Sequence, residues 1–320
     1  MVLSFRATML RISLLLFFTS IVGAVSAQSY PQRPIRVVAP QAGTSIDFML
    51  RSITPYLAEN LGQPIVIENR ALVGVEVVAK SPANGYTLIC YTNPMWLMPL
   101  FQETSWDALR DFSPISLLAS TPSMLVVNPA LPVKTVKDLI ALARARPKEL
   151  NYASGSTGSA THIGAELFKA MAGIEMVRIN YKGTAAALTD LMSGQVQVMF
   201  PSAGAATQFI RDRRLHALGV ASPEPSVLTA GLPTVASSGE MPGYESRTLT
   251  AIFAPVGTPQ AVVARLNEQF VHVLNRPDTK ERLFNNAIEV IGSTPQELAA
   301  TVKTEVATVG KLVKEKGLRE

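Results

Sequence analysis

A loop built only from small polar residues is the part of this sequence best suited to chemistry. Six consecutive residues, from Ser154 to Ser159, are serine, glycine or threonine, and an amphipathic helical pattern follows them. Such a loop places backbone N–H groups and hydroxyls at the positive end of a helix, where a small anion or carboxylate binds. Because no Gly-Lys-Ser or Gly-Lys-Thr follows, the loop does not match a nucleotide-binding P-loop.

Two earlier strand-to-helix loops are further candidates to line a site. In the first, residues 40–47, Gly43 permits a tight turn and Ser45 is placed to cap the next helix. Asp47 lies in the first helical turn, where it complements the helix dipole but does not attract an anion. The loop therefore either contributes to a ligand site or serves only as a helix cap.

The second loop, residues 68–76, carries charges of both signs. Arg70 is placed to pair either with a ligand carboxylate or with Glu68 in its own loop, and the internal pair is the favoured interpretation. Glu76 is an anion close to a proposed anion site, which argues against a highly charged ligand.

Catalytic and metal-binding patterns are absent from the sequence. The three histidines are His162, His216 and His272; the last two lie in apolar runs typical of structural residues, and His162 lacks the Gly-x-Ser-x-Gly spacing of a nucleophile elbow. No His-Glu-x-x-His and no Cys or His cluster occurs, so we expect no metal and no cofactor. The single cysteine, Cys90, excludes an internal disulfide and is interpreted as a small buried strand residue.

The elements that must position these loops alternate between strand and helix. A βαβαβ unit is predicted from strands near residues 35–39, 64–68 and 86–91 with helices near 47–60 and 73–79. A second α/β block is predicted from helices near 135–145, 160–172, 184–193 and 204–213 and strands near 151–153, 177–181, 196–200 and 215–221. Helices return after a strand at 248–254, with Thr258-Pro259 and Thr294-Pro295 as helix starts. The pattern predicts parallel sheets covered by helices.

The N-terminal residues have the features of a secretory signal. Arg6 and Arg11 precede an apolar stretch over residues 12–21, and Val25-Ser26-Ala27 is a small-residue cleavage site. We therefore expect residues 1–27 to be removed and the mature protein to be secreted; an uncleaved anchor is the alternative. The formal net charge of +5 is spread along the chain without a basic run, which makes nucleic acid a poor candidate partner.

The remaining 28–320 segment is long enough for two lobes. We expect one lobe to contain residues 28–124 and 249–320 and the other to contain 125–248. The strand at 123–127 and the strand at 248–254 would then lead through a two-segment hinge. Two open sheets facing each other bring the C-terminal strand ends to a central cleft, where such folds bind ligands.

Several stretches in a fixed order make the chain resemble a known family. They include Asn84-Gly85-Tyr86-Thr87-Leu88, the run from Asn151 to Phe168, Tyr181-Lys182-Gly183, and Gly194-Gln195-Val196-Gln197-Val198-Met199-Phe200. With Tyr30–Val38 and Leu61–Arg70, these match the Bug receptors, the extracytoplasmic solute-binding proteins of tripartite tricarboxylate transporters. The resemblance covers nearly the whole mature chain.

This resemblance implies a type II periplasmic-binding fold, an α/β protein whose two lobes close over a ligand. Family ligands are mostly small carboxylates, held by loop backbone groups and water, and the receptor passes them to a membrane permease. The resemblance places ligand contacts at Ser45, Asp47, Gly74, Val75, Ser154, Gly158, Ser159, Ala160, Thr161 and His162. Asn93 and Ser202, which follow two further strands, complete the candidate set. We expect a monomer.

The chain departs from the family pattern in the first two loops and after Phe200. Val73, Val75 and Glu76 replace a glycine-rich stretch, and Pro201-Ser202 stands where Asp-Asn is common. We hypothesise that these changes narrow the pocket and select a monocarboxylate, an aromatic acid, or an uncharged or amine-bearing compound. Met95 and Trp96 would either supply an apolar wall or pack beneath a loop.

Two other functions remain open on the sequence alone. The closed receptor would dock equally well on a membrane sensor instead of a permease, since both use the same closing motion. A secreted hydrolase is the third possibility, because catalytic triads assemble from distant residues. The absence of a nucleophile pattern disfavours it.

Overall fold

The structure, a computed structural model, describes residues 30–155, 157–229 and 231–319. The predicted signal peptide, residues 1–27, lies outside these ranges. The described strands are β1 Ile35–Ala39, β2 Ile65–Asn69, β3 Thr87–Thr92, β4 Phe112–Pro122, β5 Met124–Val127, β6 Asn151–Ser154, β7 Val177–Asn180, β8 Val198–Met199, β9 His216–Val220, β10 Arg247–Pro255 and β11 Glu289–Val290.

Helices cover both faces of the sheets that these strands form. They are α1 Ser45–Leu61, α2 Val73–Ala79, α3 Pro94–Phe101, α4 Ala108–Asp111, α5 Val136–Ala145, α6 Ala160–Ala172, α7 Thr184–Ser193, α8 Ala203–Arg211, α9 Val235–Ser238, α10 Gln260–Leu274, α11 Pro277–Phe284 and α12 Pro295–Lys316. None of the described helices is long and apolar enough to cross a membrane.

The first sheet has six strands in the order β11-β4-β10-β3-β1-β2. Strands β1, β2 and β3 are parallel, as predicted, but β10 runs antiparallel to its neighbours β3 and β4. The sequence analysis missed β4 because serines interrupt its apolar pattern. Ser116 is buried there, and its hydroxyl donates to the carbonyl of Ser293 at 2.8 Å, a partner 177 residues away.

The second sheet has five strands in the order β7-β6-β8-β5-β9. Strands β6, β7 and β8 are parallel, and β5 runs antiparallel to β8 and β9. The carboxyl ends of β6, β7 and β8 therefore meet at one edge. The helices α6, α7 and α8 begin at that edge, which places the third predicted loop there.

The chain passes between the two sheets twice, at Ser123 and at Ser246. The two crossings are bonded to each other, since the Ser123 N–H donates to the Ser246 carbonyl at 3.2 Å. Ser246 N–H donates to Ala221 O at 2.7 Å, and Ala221 N–H donates to Ser123 O at 2.8 Å. These bonds lie within two residues of the predicted lobe boundaries, although the division into lobes itself stays a prediction.

Four apolar clusters fill the two faces of the two sheets. In the first sheet, Ile35 and Cys90 pack with α1 and α10, and Val38 and Ile89 pack with α2, α3 and α12. In the second, α5 and α6 cover one face and α7 and α8 the other. Cys90 is fully buried, as predicted, and burial raises the pKa of its thiol.

Most predicted helix ends are confirmed. Capping boxes join Thr135 to Asp138 and Thr294 to Glu297, and Gly194 takes the left-handed conformation at the end of α7. The predicted start at Thr258 is wrong by one residue. Pro259 is the N-cap of α10, and the Thr258 hydroxyl donates instead to the carbonyl of Pro255 at 2.8 Å.

Candidate functional site

The third loop connects β6 to α6 across five residues. Ser154 ends the strand, and Ser159 caps the helix by accepting the N–H of His162 at 3.3 Å. Gly158 has a positive φ of 78° and is buried against α3, where a Cβ would lie 3.6 Å from Phe101 Cδ2. Glycine is needed at this position because most side chains avoid that backbone conformation. The loop, which extends from the second sheet, thus contacts α3, a helix that packs on the first sheet.

Side chains of the following helix hold two of the loop amides. The Gly155 N–H donates to Thr161 Oγ1 at 2.9 Å, and the Gly158 N–H donates to His162 Nδ1 at 3.2 Å. His162 is 2 % exposed and its ring lies 5.6 Å from that of Phe101, so this residue supports the loop from inside. The N–H groups of Ala160 and Thr161, in the first turn of α6, have no carbonyl partner within their own helix. Free amides in the first turn of a helix are groups that can bind an anion.

Arg178 in β7 supports the same loop from below. Its Nε donates to Ser154 Oγ at 2.8 Å, Nη2 to the carbonyl of Gly155 at 2.9 Å, and Nη1 to Thr157 Oγ1 at 3.0 Å. Ser154 is fully buried. Its hydroxyl therefore belongs to this internal network, and only the later part of the loop is placed to meet a ligand.

In the first loop, Thr44 and not Ser45 is the N-cap, because the Thr44 hydroxyl accepts the Asp47 N–H. Ser45 is exposed as the first helical residue. Asp47 is 5 % exposed and accepts the Gly43 N–H and the Arg51 Nε–H, each at 3.0 Å. The Arg51 guanidinium, with the Gly43 amide and the Asn69 amide, lowers the pKa of Asp47 to about 2. The Asp47 carboxylate therefore fixes the first loop.

Replacing Asp47 by asparagine should weaken this loop. A carboxylate whose folded pKa lies near 2 stabilises the fold above its unfolded pKa of 3.8, and this contribution disappears as the pH falls through 2. We expect Asp47→Asn to lower the free energy of unfolding by about 1 kcal/mol at pH 7 and by less at pH 3. Urea unfolding at both pH values measures this, with exposed Asp212→Asn as the control. Equal losses at both pH values would contradict it.

The second loop does not present the groups expected of it. Val75 is fully buried in the core, and a Cβ at Gly74 would lie 2.7 Å from Val38 Cγ1, so this glycine lets α2 pack on β1. The backbone N–H groups of both residues donate to carbonyls of their own turn, at 2.8 and 3.0 Å. Glu76 pairs with Lys80 at 2.6 Å. In this conformation neither Gly74 nor Val75 offers a group to a ligand.

Two further expectations concern the same loop. Arg70 Nε donates to Glu68 Oε1 at 2.5 Å, which confirms the internal pair. The proposed narrowing of the pocket rested on Val73, Val75 and Glu76. Val75 is buried and Glu76 is paired with Lys80, so only Val73, which is 59 % exposed, is left to contact a ligand. The structural basis for expecting a ligand other than a dicarboxylate is therefore smaller than the sequence suggested.

Asn93 and Trp96 lie beneath the surface at the first-lobe side of the crossings. The Asn93 side chain accepts the Leu249 N–H at 2.6 Å and donates to Glu305 Oε1 at 2.9 Å. Trp96 is 2 % exposed, and its Nε1 donates to Glu305 Oε2 at 2.7 Å. Trp96 is therefore a core residue, with its ring 6.0 Å from that of Phe253 in β10, and Met95 is fully buried as well. Neither side chain forms an exposed apolar wall in this conformation. The amide of Asn93 is fully engaged within the protein.

Ser202 is the N-cap residue of α8, and its own hydroxyl makes no capping bond. It forms an isolated antiparallel bridge with Ser123. Ser202 is half-buried beside the crossing. Of the candidate residues, the structure places Ser159, Ala160 and Thr161 side by side and partly exposed at the start of α6, with Gly158 buried next to them. Ser45 and Ser202 lie on separate elements.

Two important residues escaped the sequence analysis. Arg178 appeared only as a polar position of an alternating strand, and Glu305 as one of many charged positions of a long helix. The register of β6 and β7 pairs Arg178 with Tyr152, which places Arg178 diagonal to Ser154 on the neighbouring strand. No local pattern marks Glu305. Within the described residues no group of three or more His, Cys, Asp or Glu is placed to hold a metal ion.

Comparison with known sequences identifies the family to which the chain belongs. A family model described as the tripartite tricarboxylate transporter family receptor matches residues 49–318. A Pseudomonas sp. (strain P51) protein from the tcbD–tcbE intergenic region is 33 % identical over 93 % of this chain and 90 % of its own. The protein BugT of Bordetella pertussis is 32 % identical over 93 % of this chain and 94 % of its own.

Solved structures agree with this family assignment. R. palustris Rpa4515, determined with adipate, superposes with a TM-score of 0.77 at 34 % identity, covering 90 % of this chain and 98 % of the other. MatC of Rhodopseudomonas palustris, determined with bound malate, gives a TM-score of 0.75 at 28 % identity, covering 89 % and 100 %. The two-lobed α/β fold is therefore confirmed.

Proposed function

Since the chain belongs to the tripartite tricarboxylate transporter receptor family, we propose that it captures a small organic acid between its two lobes and delivers it to a membrane permease. Receptors of this family are periplasmic. Cleavage of residues 1–27, a monomeric state, and closure about Ser123 and Ser246 between a 28–124 plus 249–320 lobe and a 125–248 lobe belong to the same proposal.

The geometry of the third loop is the main observation that supports the proposal. Its amides at the N-terminus of α6 lie at the positive end of a helix dipole, and the loop is already held in place by His162, Thr161 and Arg178. A preorganised loop binds without an ordering cost on association. We infer that the carboxylate sits over Ser159, Ala160 and Thr161.

We propose that the ligand is a carboxylate with an apolar carbon chain. Two relatives of this fold were determined with the dicarboxylates adipate and malate. Val73, exposed in the first turn of α2, adds apolar surface where the second loop ends. A hydrolase is not proposed, because His162 is buried with Nδ1 accepting from a backbone amide.

A ligand screen tests this function. The mature protein should be stabilised by adipate or another aliphatic carboxylate, and a ligand at about 100 times its Kd should add about 2.7 kcal/mol to the free energy of unfolding. Thermal-shift measurements with mono- and dicarboxylates, citrate, aromatic acids and amines provide the readout. Stabilisation by amines alone would refute a carboxylate site.

The substitution Ser159→Asp locates the site. Aspartate is also a good N-cap, so the helix should remain intact, while its charge repels a bound carboxylate. We expect about a tenfold or greater loss of carboxylate affinity. Thr135→Asp, the same kind of change at the N-cap of α5, is the matched control. Unchanged affinity in the Ser159 variant would place the ligand elsewhere.

A further inference from the structure

Arg178 has no counter-ion among the described residues. Its side chain donates hydrogen bonds to three uncharged oxygens of the third loop, on Ser154, Gly155 and Thr157. None of the ion pairs between described residues involves Arg178. The nearby Lys169, by contrast, is paired with Glu166 at 2.7 Å. A half-buried guanidinium therefore leaves a net positive charge directly behind the loop.

The geometry of these bonds makes Arg178 a clamp as well as a charge. Nitrogens of one planar guanidinium reach three loop residues at 2.8–3.0 Å, which fixes their spacing. Lysine has a single nitrogen on a flexible stem and cannot reproduce this arrangement.

The charged surroundings do not cancel this positive charge. The cavity behind the loop, about 350 Å³, is lined by the bases Lys169, Arg178 and Lys316, by the acids Glu166 and Glu175, and by His162. The basic residues outnumber the acidic ones, and the Glu166 carboxylate is already paired with Lys169. The α6 dipole adds further positive potential on the same side of the loop.

We propose that Arg178 is the positioning and specificity-determining residue of the carboxylate site: it holds the Ser154–Ser159 loop in its binding shape and supplies the charge that favours an anion over a neutral analogue. This inference rests on the proposed function. The arginine does not touch the ligand; it acts through the loop between them.

Two variants separate the clamp from the charge. Arg178→Gln removes both, whereas Arg178→Lys keeps the charge and loses the three-point clamp. Arg144→Gln is the matched control, because Arg144 also lies in the second lobe and donates to a backbone carbonyl, that of Ala172, at the opposite end of α6.

The first measurement is amide hydrogen exchange in the protein without ligand. Both Arg178 variants should exchange the amides of residues 155–161 about tenfold faster or more than wild type, while Arg144→Gln leaves them unchanged. Wild-type exchange in Arg178→Gln would refute the clamp. This measurement needs no ligand, so it decides the positioning role even if the proposed function fails.

The second measurement compares adipate with adipamide, its uncharged diamide. Wild type should prefer adipate, and Arg178→Gln should reduce the ratio of the two affinities about tenfold, whereas Arg178→Lys should retain most of it. A loss due only to damaged structure would weaken both compounds equally. An unchanged ratio in Arg178→Gln would refute the charge role, and absence of any carboxylate binding by wild type would refute the proposed function and the charge role with it.

Discussion

Replacing Glu305 by glutamine should flatten the dependence of stability on pH between about 5 and 8. The Glu305 carboxyl group lies under α3, where it accepts hydrogen bonds from Asn93 and Trp96. Desolvation by burial raises its pKa to about 7; the bonds from Trp96 and Asn93 oppose this shift, and the neighbouring Glu245 adds to it. The nearby Arg247 guanidinium also favours the charged form.

The sign follows from the two pKa values. In the unfolded chain the group ionises near 4.5, so between 4.5 and 7 the folded state binds the proton and the unfolded state does not. The stability contribution is complete below 4.5 and is lost as the pH rises through 7. Part of the Glu305 side chain remains accessible to solvent, which screens its charge. We therefore expect the free energy of unfolding to fall by about 2 kcal/mol, less than the full pKa shift would give.

Urea unfolding at pH 5 and pH 8 measures this loss. The difference between the two pH values should be about 2 kcal/mol larger in wild type than in Glu305→Gln. Glu297→Gln, at the start of the same helix, is the control: the Thr294 N–H and hydroxyl lower the pKa of Glu297 below 4.5. Its stabilising contribution is therefore present at both pH 5 and pH 8, and Glu297→Gln should leave the difference between these two pH values unchanged. Identical pH profiles for wild type and Glu305→Gln would show that Glu305 titrates normally.

The second large effect is expected from Gly164 in α6. A Cβ there would lie 2.2 Å from Ser246 Oγ and 2.9 Å from Ser246 Cβ. Ser246 cannot withdraw freely, because its backbone bonds to Ala221 and to Ser123 join the two crossings. Gly164→Ala should therefore cost about 1–3 kcal/mol through overpacking, despite the better helix propensity of alanine.

Chemical denaturation of two further variants isolates this contact. Gly310→Ala in α12 places its Cβ 3.6 Å from Leu100 Cδ2, an ordinary contact, and should stabilise by about 0.5–1 kcal/mol. Combining Gly164→Ala with Ser246→Gly removes the clashing atoms, so the double variant should be more stable than the sum of the single changes predicts. Strict additivity would show that the helix relaxes away from Ser246 at no cost.

The position of Gly164 also connects the crossing to the ligand loop. Helix α6 begins with Ala160 and Thr161 and contacts Ser246 one turn later. A helix displaced by Gly164→Ala should carry these amides with it. We therefore expect the same variant to bind a carboxylate more weakly than wild type.

Local patterns predicted most of the elements correctly. Residues 160–172 and 184–193 were predicted as helices with their observed bounds, and two capping boxes were identified, because periodicity and caps are properties of neighbouring residues. Strand β4 was missed, since its buried serines are satisfied by residues far along the chain. The antiparallel direction of β10 was not predicted, because strand direction depends on its pairing with β3 and β4, which are distant in sequence.

The sequence by itself determined the α/β class, the candidate loop at 154–159 and the resemblance to a receptor family, all of which depend on the order of residue types along the chain. Only the tertiary structure decided which candidates are buried and already bonded within the protein. Gly74, Val75 and Asn93 are packed against the first sheet, whereas Arg178 and Glu305 bond to partners on other elements. Burial and electrostatic environment arise from packing between distant segments, and no local pattern encodes them.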